Sequence, residues 1–288
     1  DQSAKSLKRI MRFLPEKMQA QIMVGLAQYP CLDCTRGEIL DLAHMALEHA
    51  SYLPKPTLVC FDSISMTLQG DRTFAGNDLR QAMHAYSQAL LLDESNTLAR
   101  NSLAVCLAKV GEYRRACFEL RRLLDLEPEN SIAHYNYGSI CLKLHDRQKA
   151  RNCFHQCLNL RPEHSFSLVR LGYMAEEDGD LEEAEGFYTR AAKAAPEQGA
   201  PLRALGRLAW KQGDQERARR LLHQAVVAVP EDAEALRLLA RLTFEVGEDP
   251  EVAESLARKS LHLQPNHPET LRILTQARQA QGKQGISG

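Results

Sequence analysis

The sequence predicts a mostly α chain: a solenoid of six helix–turn–helix repeats plus a capping helix, preceded by a small α/β remnant. Two observations carry this. Five phrases, LDLEPEN, LNLRPEH, AKAAPEQ, VAVPED and LHLQPNH, place Pro128, Pro162, Pro196, Pro230 and Pro265 at steps of 34, 34, 34 and 35. Two small-residue series run in the same phase, Ala82, Ala116, Ala150, Ala184, Ala218, Ala253 and Gly70, Ala104, Gly138, Gly172, Gly206, Ala240. Three series locked together over six periods define a repeat.

Each period holds two helices. In LRALGRLAWKQGDQERARRLLHQAVVAVP, Leu202, Leu205 and Ala209 precede a Gly-Asp break and Leu221, Leu222 and Ala225 follow it, at helical spacing. Gly111, Gly179, Gly213 and Gly247 occupy this break, where a residue with positive φ ends the first helix. The small residues at the Gly206 and Ala218 positions let paired helices approach closely, and the proline stops the second helix.

The repeats are bounded at 63–96, 97–130, 131–164, 165–198, 199–232 and 233–267. Residues 268–288 comprise a helix, ETLRILTQARQAQ, that caps the last apolar face, and a tail, GKQGISG, expected to be disordered.

From Ser63 to His267 these positions resemble the tetratricopeptide-repeat (TPR) family. The resemblance implies a right-handed solenoid whose first helices line a concave groove for a peptide or a partner helix, without catalysis. Four departures stand out. Glu94 replaces the first proline, His145 replaces a turn glycine, GEDPEVA adds one residue, and the opening helix of the first repeat is poor in large apolar side chains.

Composition narrows the function. Lys+Arg 36 against Asp+Glu 37 leaves a net charge of −1, so no global field favours nucleic acid or a membrane. No apolar run reaches the roughly 20 residues of a spanning helix. The start, DQSAKSLKRIMRF, lacks the apolar core of a signal peptide and an initiator Met, and reads as a fragment or processed chain. Eight cysteines, mostly within helical patterns, favour reduced thiols and a cytoplasmic location.

The second, fifth, ninth and twelfth positions of each repeat face the groove. They supply Asn101 and Val105; Tyr135, Ser139 and Leu142; Val169, Tyr173 and Glu176; Arg203, Arg207 and Trp210; and Arg237, Arg241 and Phe244. Each arginine pair is spaced i,i+4 and shares a helix face, so four guanidinium groups are expected to converge beside the only tryptophan, with Phe244 next to it. Such forks suit carboxylates, and an aromatic provides an anchor. The expected partner is therefore another protein, presenting an acidic or C-terminal peptide to Asn101, Tyr135, Tyr173, Arg203, Arg207, Trp210, Arg237, Arg241 and Phe244. The competing interpretation pairs these arginines with carboxylates of neighbouring helices and packs Trp210. A chaperone-tail clamp of Lys and Asn would fall at Asn101/Val105 and Tyr135/Ser139, and is absent.

Cys106, Cys117, Cys141, Cys153 and Cys157 lie on or near apolar stripes and read as core. Cys153 and Cys157 with His155 or His134 form a weaker metal candidate. No catalytic, metal or cofactor motif is recognised, so neither an enzyme nor a cofactor is expected.

Before Ser63 the period is lost. LKRIMRFLPEKM reads as a short helix ended at Pro15, AQIMVGLAQYP as a buried strand, GEILDLAHMALEHASYL as an amphipathic helix and PTLVCFD as a second strand. VGLAQYP, a loop, EILDLAHMALEHAS and TLVCFD resemble the closing elements of a GGDEF (diguanylate cyclase-like) domain over Ala20–Asp62. His44, Glu48 and Ser51 depart from its helix motif, and no GG[DE]EF sequence stands in the chain, so cyclic di-GMP synthesis is not expected. Residues 1–62 are read as the C-terminal remnant of such a domain, with 20–62 packing on the first repeat because open strand edges need cover. Cys31 and Cys34 form a C-x-x-C pair in its strand-to-helix loop. Without a second ligand pair this does not read as a zinc site, and a reversible disulfide stays open.

The leading interpretation is a non-enzymatic protein-binding module in a bacterial signalling protein. The alternatives are the regulatory C-terminal part of a diguanylate cyclase whose catalytic half is absent, and an assembly scaffold for pili, envelope or secretion.

Overall fold

The structure, a computed structural model, describes residues 20–32, 34–247 and 249–284, with Lys5, Arg9, Arg12, Phe13 and Pro15 besides. The short helix expected to end at Pro15 rests on residues outside that set; of the tail expected to be disordered, Gly282–Gln284 instead continue the last helix, and the remainder lies outside the described residues. The described chain forms two compact units, Asp1–Cys153 and Phe154–Gly288.

The helices keep the sequence period. The first helices of the pairs are α2 (Ser63–Ala75), α4 (Thr97–Lys109), α6 (Ser131–Lys143), α8 (Ser165–Asp178), α10 (Gly199–Lys211) and α12 (Ala233–Glu245), each beginning 34 residues after the last. The second helices are α3 (Leu79–Leu92), α5 (Tyr113–Leu126), α7 (Arg147–Leu160), α9 (Leu181–Ala194), α11 (Gln215–Ala228) and α13 (Pro250–Leu263). Only α13 starts 35 residues after its predecessor, because of the extra residue in GEDPEVA. A last helix, α14 (Pro268–Gln284), packs on α13.

The turn position is left-handed in every pair: Asn77, Gly111, His145, Gly179, Gly213 and Gly247 all have positive φ. His145 thus takes a glycine's conformation at φ 62° rather than changing the turn. Helix starts are capped in phase as well. The side chains of Asn96, Asn130, His164 and Asp232 accept from the backbone N–H groups of Ala99, Ala133, Ser167 and Ala235. Each cap offsets one of the four unpaired donors at a helix start, about 1 kcal/mol apiece.

In the first unit, β1 (Met23–Leu26) and β2 (Thr57–Cys60) form a two-stranded parallel sheet, with α1 (Ile39–Ser51) between them in sequence. Gly25 lets β1 lie against α1; a Cβ there would stand 2.2 Å from the Ala43 carbonyl oxygen. The expected buried strand is only half-buried along Met23–Leu26, because two strands cannot cover each other's faces. Leu42, Ala46 and Ala50 of α1 are buried as expected for its amphipathic pattern, whereas Leu40 is 75% exposed. The helix packs on α2: His49 Nδ1 lies 3.2 Å from Ser65 Oγ, and Leu32, Met45 and Phe61 join the core of the first repeats.

The weakly apolar α2 is held by polar bonds instead. Ser63 Oγ donates to the Ala89 carbonyl (2.8 Å), and Asn96 Nδ2 donates to Ser63 Oγ (2.6 Å) and Thr67 Oγ1 (3.0 Å). Where Glu94 replaces the proline, Arg100 stitches the junction. Its side chain is 3% exposed, donating to the Glu94 carbonyl at 2.7 Å and to Glu119 Oε2 at 2.6 Å.

In the second unit the pairs α8/α9, α10/α11 and α12/α13 stack through Tyr188, Leu205, Leu208, Leu222, Leu239 and Leu242, all buried. Each such side chain contributes on the order of 2 kcal/mol. Ile273 of α14 closes the last face over Ala240 and Ala257, and Ala277 of the same helix is also buried.

Candidate functional site

The second unit carries the densest chemistry, on the face shared by α8, α10, α12 and the start of α14. Arg203, Arg207 and Trp210 project from α10, and Arg237 and Arg241 from α12. Arg207, Trp210, Lys211, Glu234, Arg237, Leu238, Arg241 and Glu269 line a cavity of about 400 Å³.

Every one of the four arginines has a carboxylate. Arg203 pairs with Asp232 and, at 3.2 Å, with Glu234. Arg207 Nη2 lies 2.7 Å from Glu176 Oε2, and its guanidinium carbon sits 5.4 Å from the centre of the Tyr173 ring. Arg237 pairs with Glu269. Arg241 Nη1 reaches the other Glu269 oxygen at 3.0 Å, while its Nε donates to Glu245 at 2.8 Å. The convergent arginines therefore form a charge-balanced lattice rather than a bare basic patch.

The repeat explains the arrangement. Glu234 and Glu269 hold the same position at the starts of α12 and α14, so Arg203–Glu234 and Arg237–Glu269 are one contact made twice. Arg207 and Arg241 are likewise equivalent, but their neighbours on the preceding helix differ. Arg207 meets Glu176, whose side chain is 6% exposed and also accepts from Lys211 (2.6 Å) and the Tyr188 hydroxyl (3.1 Å). Arg241 meets Trp210 at the position matching Glu176, its guanidinium carbon 4.9 Å from the ring centre. The Glu176 site is thus filled by a buried carboxylate, while the Trp210 site presents an aromatic face under a half-exposed cation.

Electrostatics separate the two sites further. Burial would raise the Glu176 carboxyl, but the Lys211 hydrogen bond and the Arg207 and Lys211 charges outweigh it and hold the group below the ordinary range. Burial, then the Glu176 charge, pushes the Tyr188 hydroxyl well above its ordinary value, so it remains a donor.

The other expected site residues distribute unevenly. Tyr173 belongs to this cluster, edge-on to Tyr188 at 5.5 Å. Arg203 flanks the cavity without lining it, and Phe244, half-buried, is not among the lining residues. Asn101 and Tyr135 lie in the first unit, where Asn101 Oδ1 accepts from Asn136 Nδ2 at 2.9 Å and Tyr135 is half-buried. The expected site did not include Lys211, Leu238 or the carboxylates Glu234 and Glu269. The 35-residue step from Glu234 to Glu269 was the available signal for the last two.

The cysteines fall as their spacing suggests. Cys106, Cys141, Cys153 and Cys157 are buried, Cys117 is half-buried, and Cys60 is exposed. Burial pushes the Cys141 thiol up to about 12 and Cys153 to about 11. Cys31 and Cys34 are both half-buried and joined by a turn, the Cys34 N–H donating to the Cys31 carbonyl at 3.2 Å. Among the described residues no group of three His, Cys, Asp or Glu is placed to hold a metal ion, and no helix is long and apolar enough to cross a membrane.

Helix pairs at a 34-residue period, packed through small residues and turned at left-handed positions, define a helical-repeat protein. Residues 203–268 match a tetratricopeptide-repeat family, and residues 118–210 match the middle TPR-like domain of cilia and flagella-associated protein 70. The chain folds as a TPR-like helical solenoid, and TPR models match it over these two stretches. No curated protein sequence matches it.

Among solved structures it resembles a chain of the APC/C hetero-tetramer Cut9–Hcn1, with TM-score 0.68 and 18% identity. That match covers 84% of this chain and 46% of the other, so the chain spans less than half of that protein's length. It also resembles pilF of Pseudomonas aeruginosa (TM-score 0.65, 21% identity, 74% of this chain and 96% of that one). A third relative in fold is PilW, described as a widely conserved type IV pilus biogenesis factor (TM-score 0.63, 21% identity, 74% and 98%). At these identities the likeness is one of fold. No catalytic family is indicated.

Proposed function

We propose that this chain is a non-enzymatic protein-binding module whose second unit receives an extended acidic segment, or a C-terminal carboxylate, on the face formed by α10 and α12. Trp210 is the apolar anchor and Arg241 the carboxylate contact. Arg237 supports from below, while Arg203, Arg207 and Tyr173 hold the helices in register. Phe244 flanks the same face, and Asn101 and Tyr135 offer polar and aromatic contacts on the equivalent face of the first unit.

One observation carries the reading: Arg241 is 46% exposed, lines the cavity, and holds its guanidinium carbon 4.9 Å from the centre of the Trp210 ring. A guanidinium over an aromatic ring gains from the ring face while its N–H groups bond carboxylates, here Glu245 and Glu269, for which an incoming carboxylate would exchange. Calorimetric titration with short acidic peptides tests it. R241A and W210A should each weaken binding about tenfold or more, the usual scale for an anchor residue, and unchanged affinity in both variants refutes the assignment.

The proposed setting is a cytoplasmic bacterial signalling protein in which residues 20–62 derive from a GGDEF-like domain. Support comes from VGLAQYP and EILDLAHMALEHAS and from the strand–helix–strand order of β1, α1 and β2. Buried cysteines packed as small apolar groups suit a reducing compartment. Sequencing the complete gene product tests this setting: a GG[DE]EF motif upstream of residue 20 supports it, and an unrelated domain there removes it.

A further inference from the structure

We propose that Glu269 is an internal surrogate for the partner's carboxylate, and that binding proceeds by exchange: the incoming carboxylate takes the Arg237–Arg241 fork as the Glu269 side chain swings out to solvent. This rests on the peptide-binding reading above and names the ligand group and its competitor.

Three features support it. Glu269 spans two arginines, one oxygen on Arg237 and the other 3.0 Å from Arg241 Nη1, as a bound carboxylate would. It lines the same cavity as Trp210, so its position and an anchored peptide's would coincide. Its side chain is partly exposed at the first turn of α14, whereas the grip of that helix comes from Thr270, Ile273 and Ala277, all buried. The side chain can therefore leave without lifting the helix. The Glu176–Arg207 pair shows the contrast: its carboxylate is buried and triply bonded, and cannot be exchanged cheaply.

Exchange has a measurable consequence. With Glu269 present the cavity wall holds four cations, Arg207, Lys211, Arg237 and Arg241, against Glu234 and Glu269. Replacing Glu269 by its neutral isostere removes the charged competitor shared by the two arginines, leaving Arg241 with Glu245 at 2.8 Å and Arg237 with Glu234 at 4.0 Å. The experiment compares the full chain with E269Q and E216Q, using a fluorescein-labelled peptide of alternating Asp and Ala with a free C-terminus. Its control is the Asn-for-Asp, amidated counterpart. Glu216 is an exposed carboxylate on α11, paired with Arg219, and so matches the charge change away from the cavity.

E269Q should bind the acidic probe about two- to fivefold tighter than the parent, the upper part of the range for a partly exposed ion pair. E216Q should bind as the parent does, and the amidated control should gain nothing from either change. Equal affinity of E269Q and parent overturns the exchange while leaving the peptide site standing. An equal gain in E216Q reduces the effect to net charge and also overturns it. Absence of binding by parent and E269Q alike overturns both readings. A thermal melt of E269Q, expected within a few degrees of the parent, separates exchange from loss of fold.

Discussion

The ring of Tyr188 lies against the bare backbone of Gly172: a Cβ at residue 172 would stand 2.5 Å from Tyr188 Cε1. The same contact joins Tyr86 to Gly70 in the first unit, also at 2.5 Å; the Tyr86 hydroxyl donates to Asp71, next to that glycine, and the Tyr188 hydroxyl to Glu176, one turn beyond Gly172. The aromatic second helix and the glycine first helix are therefore one fitted element. G172A should destabilise the second unit by about 2 kcal/mol through overpacking, read as a shift of the urea midpoint. A midpoint unchanged from the parent would show that the ring can move aside.

Glu176 gives the second unit an acid dependence. Its folded carboxyl is held below the ordinary value of about 4.3, so folding is favoured while it is ionised. The contribution is complete above that ordinary value and is lost as pH falls through the lower folded value. E176Q should cost about 2–3 kcal/mol near neutrality, because Arg207, Lys211 and Tyr188 lose a charged acceptor. Denaturation curves between about pH 3 and pH 6 check the sign: the parent should weaken toward acid more steeply than E176Q.

His145 carries a conformational cost that its neighbours avoid. It is a non-glycine residue at φ 62°, where the corresponding positions of the fourth to sixth repeats hold glycine. H145G should stabilise the first unit by about 1 kcal/mol, the order of penalty for a side chain in left-handed backbone. A loss of stability on this substitution would mean that the imidazole makes a compensating contact.

Thiol reactivity should sort by burial. Cys141 and Cys153, with thiols pushed to about 12 and about 11, should resist an alkylating reagent in the native chain, as should buried Cys106 and Cys157. Cys60 should label first. Mass-spectrometric mapping before and after unfolding checks the order, and native labelling of Cys141 would contradict the packing.

Much of this was legible in the sequence. The 34-residue period fixes every helix start from Ser63 to Ala233, because proline, small-residue and turn positions obey one geometry. The turn at His145 and the junction at Glu94 looked like breaks and are not. The backbone there follows the repeat, with φ taken up by histidine and the junction tied by Arg100.

The arginine stripe was legible, and its pairing with carboxylates of neighbouring helices stood as the competing interpretation, but the particular partners were not legible. Which carboxylate meets which guanidinium depends on stacking between helices some 30 residues apart, as for Arg207 and Glu176 or Arg237 and Glu269. The half-covered strand Met23–Leu26 has the same origin: burial of a strand is set by what packs on the sheet, not by its own composition.

Trp210, the only tryptophan in the chain, reports directly on the proposed site. Its emission should be followed while the full chain is titrated with an acidic peptide carrying a free C-terminus. A saturable change in the parent, lost in R241A and absent with the amidated neutral peptide, is the predicted result. Saturable binding by calorimetry with no change in Trp210 emission would place the partner elsewhere and contradict the assignment.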